Sequence, residues 1–272
     1  YLTDSGLKIK IALAQFSVDC GNIDSNLERI RTFAERASRQ HRGGLLCLPE
    51  LSTTGFNWKL NRELSGRWAS TREALSEIAR SAGLDLCGSF LEPSEDGRGV
   101  NRFLYFDKEG RLVGSYDKIH LFSAFDEQDH IRAGDRPVVG ETRLGKIGFS
   151  ICYDLRFPGT FRRNTISGAR IHVLPAAFPK PRLSHWRILL QARAIENQSF
   201  VIGVNQCGFE GPGEKPSRTE YFGHSMAVGP TGVILAEAGE GEELLPAELN
   251  LAELEEARSV FDSIRDGRPA VD

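Results

Sequence analysis

Lys146-Ile-Gly-Phe-Ser-Ile-Cys-Tyr-Asp-Leu-Arg-Phe-Pro158 reads as a buried strand running into a turn. Ile147, Phe149 and Ile151 alternate with small residues, the period of a strand buried mostly on one face. The strand exit then carries Cys152, a Tyr-Asp-Leu-Arg stretch and a proline. A side chain at such an exit stands at the sheet edge, where a rigid scaffold can aim it at a ligand. Cysteine by residue type is more often inert core than nucleophile. Asp154 and Arg156 are nevertheless unusual company for a merely buried one.

Working outward, residues 141–144 pair with this strand across Gly145-Lys146. Downstream come a helix over 158–167, a strand over 170–174, a helix over 184–195 and a strand over 200–205. A Gly/Pro-rich loop follows at 208–216, then strands around Met226 and Val233, a last helix over 251–260 and a polar tail. Upstream, 8–16 alternates as a strand. Ile23, Leu27, Ile30, Ala34 and Ala37 then recur at helical spacing, with Asp24 or Ser25 as the expected cap and Gly43-Gly44 as the stop. Residues 45–48 form a short buried strand closed by Pro49. A helix over 71–82 with Gly83 past its end precedes a strand over 85–90. Segments 101–106 and 111–116 bracket Asp107-Lys108-Glu109-Gly110 as a hairpin. Strand-helix alternation with inserted hairpins predicts an α/β fold with mixed sheets and helices on the outer faces. With no linker-like stretch, residues 1–272 read as one domain, its core spanning about 8–260.

Composition narrows the partners. The net charge of −3 leaves no basic footprint for nucleic acid and no polybasic surface for anionic lipid. No apolar run approaches the roughly 18 residues of a membrane span, and the first residues carry no signal-peptide pattern. Cys20, Cys47, Cys87, Cys152 and Cys207 are scattered, without a C-x-x-C pair or ligand spacing to any histidine. A disulfide framework and structural zinc are therefore weak readings, and a reducing cytoplasm is the expected compartment. Cys47 and Cys87 read as small apolar residues in buried strands.

For Cys152 to act, its thiol needs a base, because a free thiol with a pKa of about 8.5 is mostly protonated at neutral pH. The surroundings typical of Cys-His proteases are missing. Glu50 follows a buried strand and Pro49, so it is either a carboxylate at the same sheet edge or an exposed loop residue. Lys118 lies beside Ile119, Leu121 and Phe122, set either to stabilise an oxyanion or to snorkel from a surface strand.

Together, Leu-Pro-Glu (48–50), Tyr-Asp-Lys-Ile-His-Leu (116–121) and Ile-Cys-Tyr-Asp-Leu-Arg-Phe-Pro (151–158) resemble the nitrilase superfamily of carbon–nitrogen hydrolases, in order and separation. The resemblance runs from Ile11-Ala-Leu-Ala-Gln15 through Gln191-Ala-Arg-Ala-Ile-Glu-Asn197 to Gly229-Pro-Thr-Gly232. It implies a four-layer α-β-β-α sandwich and a Glu-Lys-Cys triad of Glu50, Lys118 and Cys152, with no metal or organic cofactor. Glu50 would be the general base, Lys118 the oxyanion partner beside the Tyr153 N–H, and Cys152 the nucleophile that forms a thioester for water to hydrolyse. A nearby ammonium is expected to favour the thiolate. Glu127 fits the place of the family's second glutamate, or is one acidic residue in a solvated loop with Asp126 and Asp129.

Cys-Tyr-Asp-Leu-Arg-Phe-Pro most resembles the Nit-type and ω-amidase branch, which implies a small-molecule amide substrate such as 2-oxoglutaramate or 2-oxosuccinamate. Gly159 departs from the acidic residue that many relatives carry after the proline. The distal carboxylate of such a substrate needs a cation, and Arg156 is the nearest, unless it pairs with Asp154. Tyr153, Phe178 and Trp186 are either pocket walls or core. Residues 56–67 and 208–216 have the composition of pocket rims. Arg193 and Glu196, at i,i+3, lie where the family forms a subunit interface, which implies a homodimer; the alternative is a surface ion pair. Hydrolysis of N-carbamoyl compounds, a non-catalytic role and redox sensing by Cys152 are the competing readings.

Overall fold

A computed structural model describes residues 8–41, 43–210 and 219–267. Its strands are β1 (Lys8–Gln15), β2 (Leu45–Cys47), β3 (Asp85–Pro93), β4 (Gly99–Phe106), β5 (Leu112–Asp117), β6 (Val138–Thr142), β7 (Gly145–Phe149) and β8 (Ile171–Ala176). β9 (Phe200–Asn205), β10 (Cys207–Glu210), β11 (Thr219–Phe222), β12 (Met226–Val228), β13 (Ile234–Glu237) and β14 (Glu243–Asn250) follow. The helices are α1 (Ile23–His41), α2 (Trp58–Glu63), α3 (Trp68–Ala82), α4 (Glu127–His130), α5 (Pro158–Ile166), α6 (Leu183–Asn197) and α7 (Leu251–Val260).

Two six-stranded sheets form, ordered β14-β1-β2-β3-β4-β5 and β13-β12-β9-β8-β7-β6, with β10-β11 a separate ribbon. Within each sheet a parallel trio, β1-β2-β3 or β7-β8-β9, is flanked by antiparallel strands. The pleat of β1 shows how the layers arise. Ile9, Ile11 and Leu13 enter the core between the sheets, while Ala12 and Ala14 face the helix side with Ile23, Leu27 and Ile30 of α1 and Leu75 and Ile78 of α3. Phe161 of α5 and Trp186 and Leu190 of α6 join Val173 and Ile202 on the second sheet. Helix, sheet, sheet and helix stack as the expected four layers. Phe149 stacks on Phe103 of the other sheet at 4.3 Å between ring centres. Its ring fits because positions 114 and 140 are glycines, where an added Cβ would lie 2.7 and 2.2 Å from it.

Several local readings change. The first helix is capped by Asn22, whose Oδ1 accepts the Ser25 N–H at 3.2 Å; Asp24 instead pairs with Arg67. The rim segment 56–67 is largely helical: Asn57 caps α2, its side chain accepting from the Leu60 N–H, and a 3-10 turn follows at Ser65–Arg67. Part of the Gly/Pro-rich segment is β10, while 211–218 lie outside the described residues. β14 was unforeseen, as was β11. Among the described residues no helix is long and apolar enough to cross a membrane.

Candidate active site

The carboxyl ends of the parallel strands face one another at one edge of the sandwich, where ligands bind in open α/β sheets. Glu50 follows β2, Cys152 follows β7 and Ala177 follows β8. Glu50 is fully buried, which removes the exposed-loop alternative. Its Oε1 accepts from Lys118 Nζ and Asn101 Nδ2, both at 2.8 Å, and its Oε2 from the Ala177 N–H at 3.0 Å. Gln206 Nε2 holds the Glu50 carbonyl at 2.8 Å.

Lys118 does not snorkel: its side chain is 1% exposed, and Nζ also donates to Glu127 Oε1 at 2.8 Å. Glu127, at the start of α4, is likewise buried and accepts the Phe122 N–H on its other oxygen at 2.7 Å, so it is no solvated loop residue. Burying one ammonium costs several kcal/mol, on the order that two well-placed carboxylates can offset. Burial alone would lower the Lys118 pKa, but Glu127 and Glu50 outweigh it and hold the ammonium charged. Glu127 is pushed up by burial, with Lys118 opposing.

Cys152 sits at φ 45°, a left-handed conformation costly for a side-chain-bearing residue, at the head of the 3-10 turn Cys152–Arg156. Asp154 supports that turn. Its carboxylate accepts the Ile151 N–H at 2.8 Å, the Tyr116 hydroxyl at 2.7 Å and the His120 N–H at 3.1 Å, and lies 2.7 Å from His120 Nδ1. One buried carboxylate therefore ties the Lys118 segment to the cysteine turn. Arg193, expected on the surface, is 5% exposed and donates to the Leu155 carbonyl at 3.1 and 2.8 Å while pairing with Glu196.

Burial, then the Glu50 charge, raise the Cys152 pKa well above that of a free thiol, with Lys118 pulling the other way. The ammonium thus does not outweigh burial and the Glu50 charge, which together favour the protonated thiol.

A pocket opens over these residues, lined by Glu50, Lys118, Glu127 and Cys152 together with Tyr153, Arg156, Phe178 and Arg182. Phe56, Phe122 and Phe125 complete its aromatic side. Tyr153 and Phe178 line this pocket, Phe178 also packing into the core; Trp186 is core, fully buried behind Phe178 with its Nε1 on the His224 carbonyl. Arg156 does not pair with Asp154, whose oxygens are already occupied. Its guanidinium lies 5.4 Å from the Phe178 ring centre and 3.4 Å from His185 Nδ1. Phe56 belongs to the 56–67 segment read as a pocket rim, whereas Asn101, Gln206 and Arg182 escaped the sequence reading, because isolated residues of these types carry no local signal of a site. Among the described residues no three His, Cys, Asp or Glu side chains gather as metal ligands.

Residues 10–259 match the carbon-nitrogen hydrolase family, and the chain belongs to it: it is an enzyme of carbon–nitrogen bond hydrolysis. A 2-oxoglutaramate amidase of Bacillus subtilis is 36% identical over 265 residues, covering 95% of this chain and 98% of the relative. The structure of Saccharomyces cerevisiae Nit3, a member of branch 10 of the nitrilase superfamily, has a TM-score of 0.84 at 30% identity, covering 95% and 96%. A mutant amidase from Nesterenkonia sp. AN1, which shows the result of Michael addition of acrylamide at its active site cysteine, has a TM-score of 0.82 at 29% identity, covering 93% and 98%. Membership in a hydrolase family sets the non-catalytic reading aside.

Proposed function

We propose that the chain is an ω-amidase, hydrolysing the terminal amide of a 2-oxo dicarboxylic acid monoamide through a Cys152 thioester. The observation that carries the chemistry is Lys118 Nζ held 2.8 Å from both Glu50 Oε1 and Glu127 Oε1 beside Cys152. Glu50 takes the thiol proton as Sγ attacks the amide carbon. Lys118 Nζ and the Tyr153 N–H then stabilise the oxyanion. Collapse breaks the C–N bond, the proton passes from Glu50 to the departing nitrogen, and ammonia leaves. Water, deprotonated by Glu50, adds to the thioester, and C–S cleavage returns the thiol and a carboxylic acid. Glu127 keeps Lys118 aimed throughout.

The substrate class rests on two arginines. Arg156 and Arg182 line the pocket, and among the described residues neither forms a carboxylate ion pair, which leaves both available to a distal carboxylate. The relatives named 2-oxoglutaramate amidase support the same assignment. Arg156→Ala and Arg182→Ala should each raise the KM for 2-oxoglutaramate about 10- to 100-fold, the worth of a charge-assisted hydrogen bond. Turnover of neutral propionamide should hardly change. Equal losses on both substrates would remove the arginines from recognition. The primary test is ammonia release across 2-oxoglutaramate, 2-oxosuccinamate, glutamine, aliphatic amides, N-carbamoyl amino acids and a nitrile. Turnover confined to the carbamoyl compounds would overturn the substrate class.

We also infer a homodimer. Helix α6 exposes Ile188 and Ile195 (63% and 52%) two turns apart on one face, and Gly232, next to the exposed Val233, lies against Ile195. Exposed apolar side chains grouped in this way mark a surface to be covered. Sedimentation velocity should give a dimer that Ile188→Asp with Ile195→Asp converts to monomer; a monomeric wild type would refute it.

A further inference from the structure

Glu210 is buried, carries a titratable group that the reaction does not use, and lies on the ribbon outside both sheets. Its Oε1 accepts the Phe56 N–H and its Oε2 the Tyr221 hydroxyl, both at 2.5 Å. The first bond reaches a residue of the pocket wall, the second a residue behind it. Phe56 lines the pocket. Tyr221 pairs across an isolated bridge with Pro179, which lines the pocket on the Phe178 side. The chain at 55 has been shaped around the carboxylate. Gly55 turns at φ +65°, and a Cβ there would lie 2.1 Å from Glu210 Oε1. From Phe56 a run of ring contacts crosses the pocket: Phe125 at 5.3 Å, Phe122 at 5.1 Å from that, and Tyr153 at 5.0 Å, next to the nucleophile.

We propose that Glu210 is a positioning residue that sets the width of the acyl pocket, bracing the Phe56 wall against the Phe178-Pro179 wall through Tyr221. This rests on the amidase reading of the site. The carboxylate is otherwise disfavoured there. Burial pushes its pKa up to about 7 against the pull of Tyr221 and the Phe56 N–H, and Cys20 and Glu50 are the other titratable groups that bear on it.

The test is steady-state kinetics on unbranched amides from acetamide to hexanamide, alongside 2-oxoglutaramate. Glu210→Ala should raise KM about tenfold while kcat stays within about threefold, and should shift preference toward longer acyl groups, as expected of lost preorganisation. Glu210→Gln keeps an acceptor for the Phe56 N–H and offers Tyr221 a donor, so it should stay within about threefold of wild type in both constants. Unchanged KM and acyl preference in Glu210→Ala, or equal falls in kcat and kcat/KM, would overturn the proposal. If Glu210→Ala does not fold, Tyr221→Phe decides, with KM rising about threefold in the same sense or the proposal failing. The aliphatic series reads pocket width even if the oxo-acid amides are not substrates, so the two readings fail separately.

Discussion

Cys152→Ala should leave ammonia release at or below about 10⁻⁴ of the wild-type kcat, since nothing else in the pocket can form the acyl bond. The substitution removes one sulfur from a residue 7% exposed and leaves Glu50 and Lys118 with all their other partners. Binding should therefore survive. Calorimetric titration of the variant with 2-oxoglutaramate should give a Kd within a few-fold of the wild-type KM, with no heat of turnover. Acid-quenched wild type should carry one acyl adduct by intact mass, and the variant none. Residual turnover above about 10⁻² would move the nucleophile elsewhere. The thiol state adds a second expectation. Because burial and Glu50 hold Cys152 protonated, iodoacetamide, which resembles an amide and can use the oxyanion partners, should alkylate it faster than a disulfide reagent of similar size.

How much of this was legible in the chain depends on range of interaction. The β9 strand and the α7 helix keep the bounds that periodicity predicts, because their burial pattern follows the local backbone repeat. β14 was not visible. Its Glu243, Pro246 and Glu248 oppose a strand reading, yet it is an edge strand, where proline and charge are tolerated, and pairing with β1 over eight registered positions supplies what propensity lacks. α2 did leave a trace, an Asn57 cap before Trp58, but at six residues it is too short for a hydrophobic period to show.

The site divides in the same way. Cys152 and Glu50 follow buried strands directly, and position after a strand is a local property. Lys118 looked like a surface lysine because its partners stand 68 and 9 residues away and only the fold brings them together. Arg193 misled for the same reason, since the carbonyl it holds lies 38 residues upstream. The supporting ring of Asn101, Gln206 and Asp154 is made almost wholly of such distant bonds. The thiol's protonation followed neither charge alone nor burial alone. The ammonium of the triad that the family resemblance implies pointed to thiolate, whereas the geometry adds desolvation and the larger effect of the Glu50 charge.

Lys118→Met should lower kcat by about 10³-fold, in the range seen when an oxyanion partner is removed, while the protein folds less stably at neutral pH. The stability loss comes from what remains. Glu50 and Glu127 would be buried with no cation between them, and breaking a buried pair in this way costs about 3–5 kcal/mol, or on the order of 10 °C in Tm for a chain this long. The pH dependence separates this cause from a packing defect. In the wild type Lys118 draws the Glu127 pKa down against burial and the Glu50 charge. Without it only the Phe122 N–H still opposes those two raising effects, and the folded state binds a proton that the unfolded chain at the same pH does not. A carboxyl raised in the folded state contributes stability at low pH that is lost as pH rises through its folded value. The Tm deficit of the variant should accordingly shrink on going from pH 8 to pH 5.5, whereas a cavity left by imperfect packing would cost the same at both. A deficit independent of pH, or a kcat within tenfold of wild type, would mean that Lys118 neither neutralises the two glutamates nor meets the oxyanion.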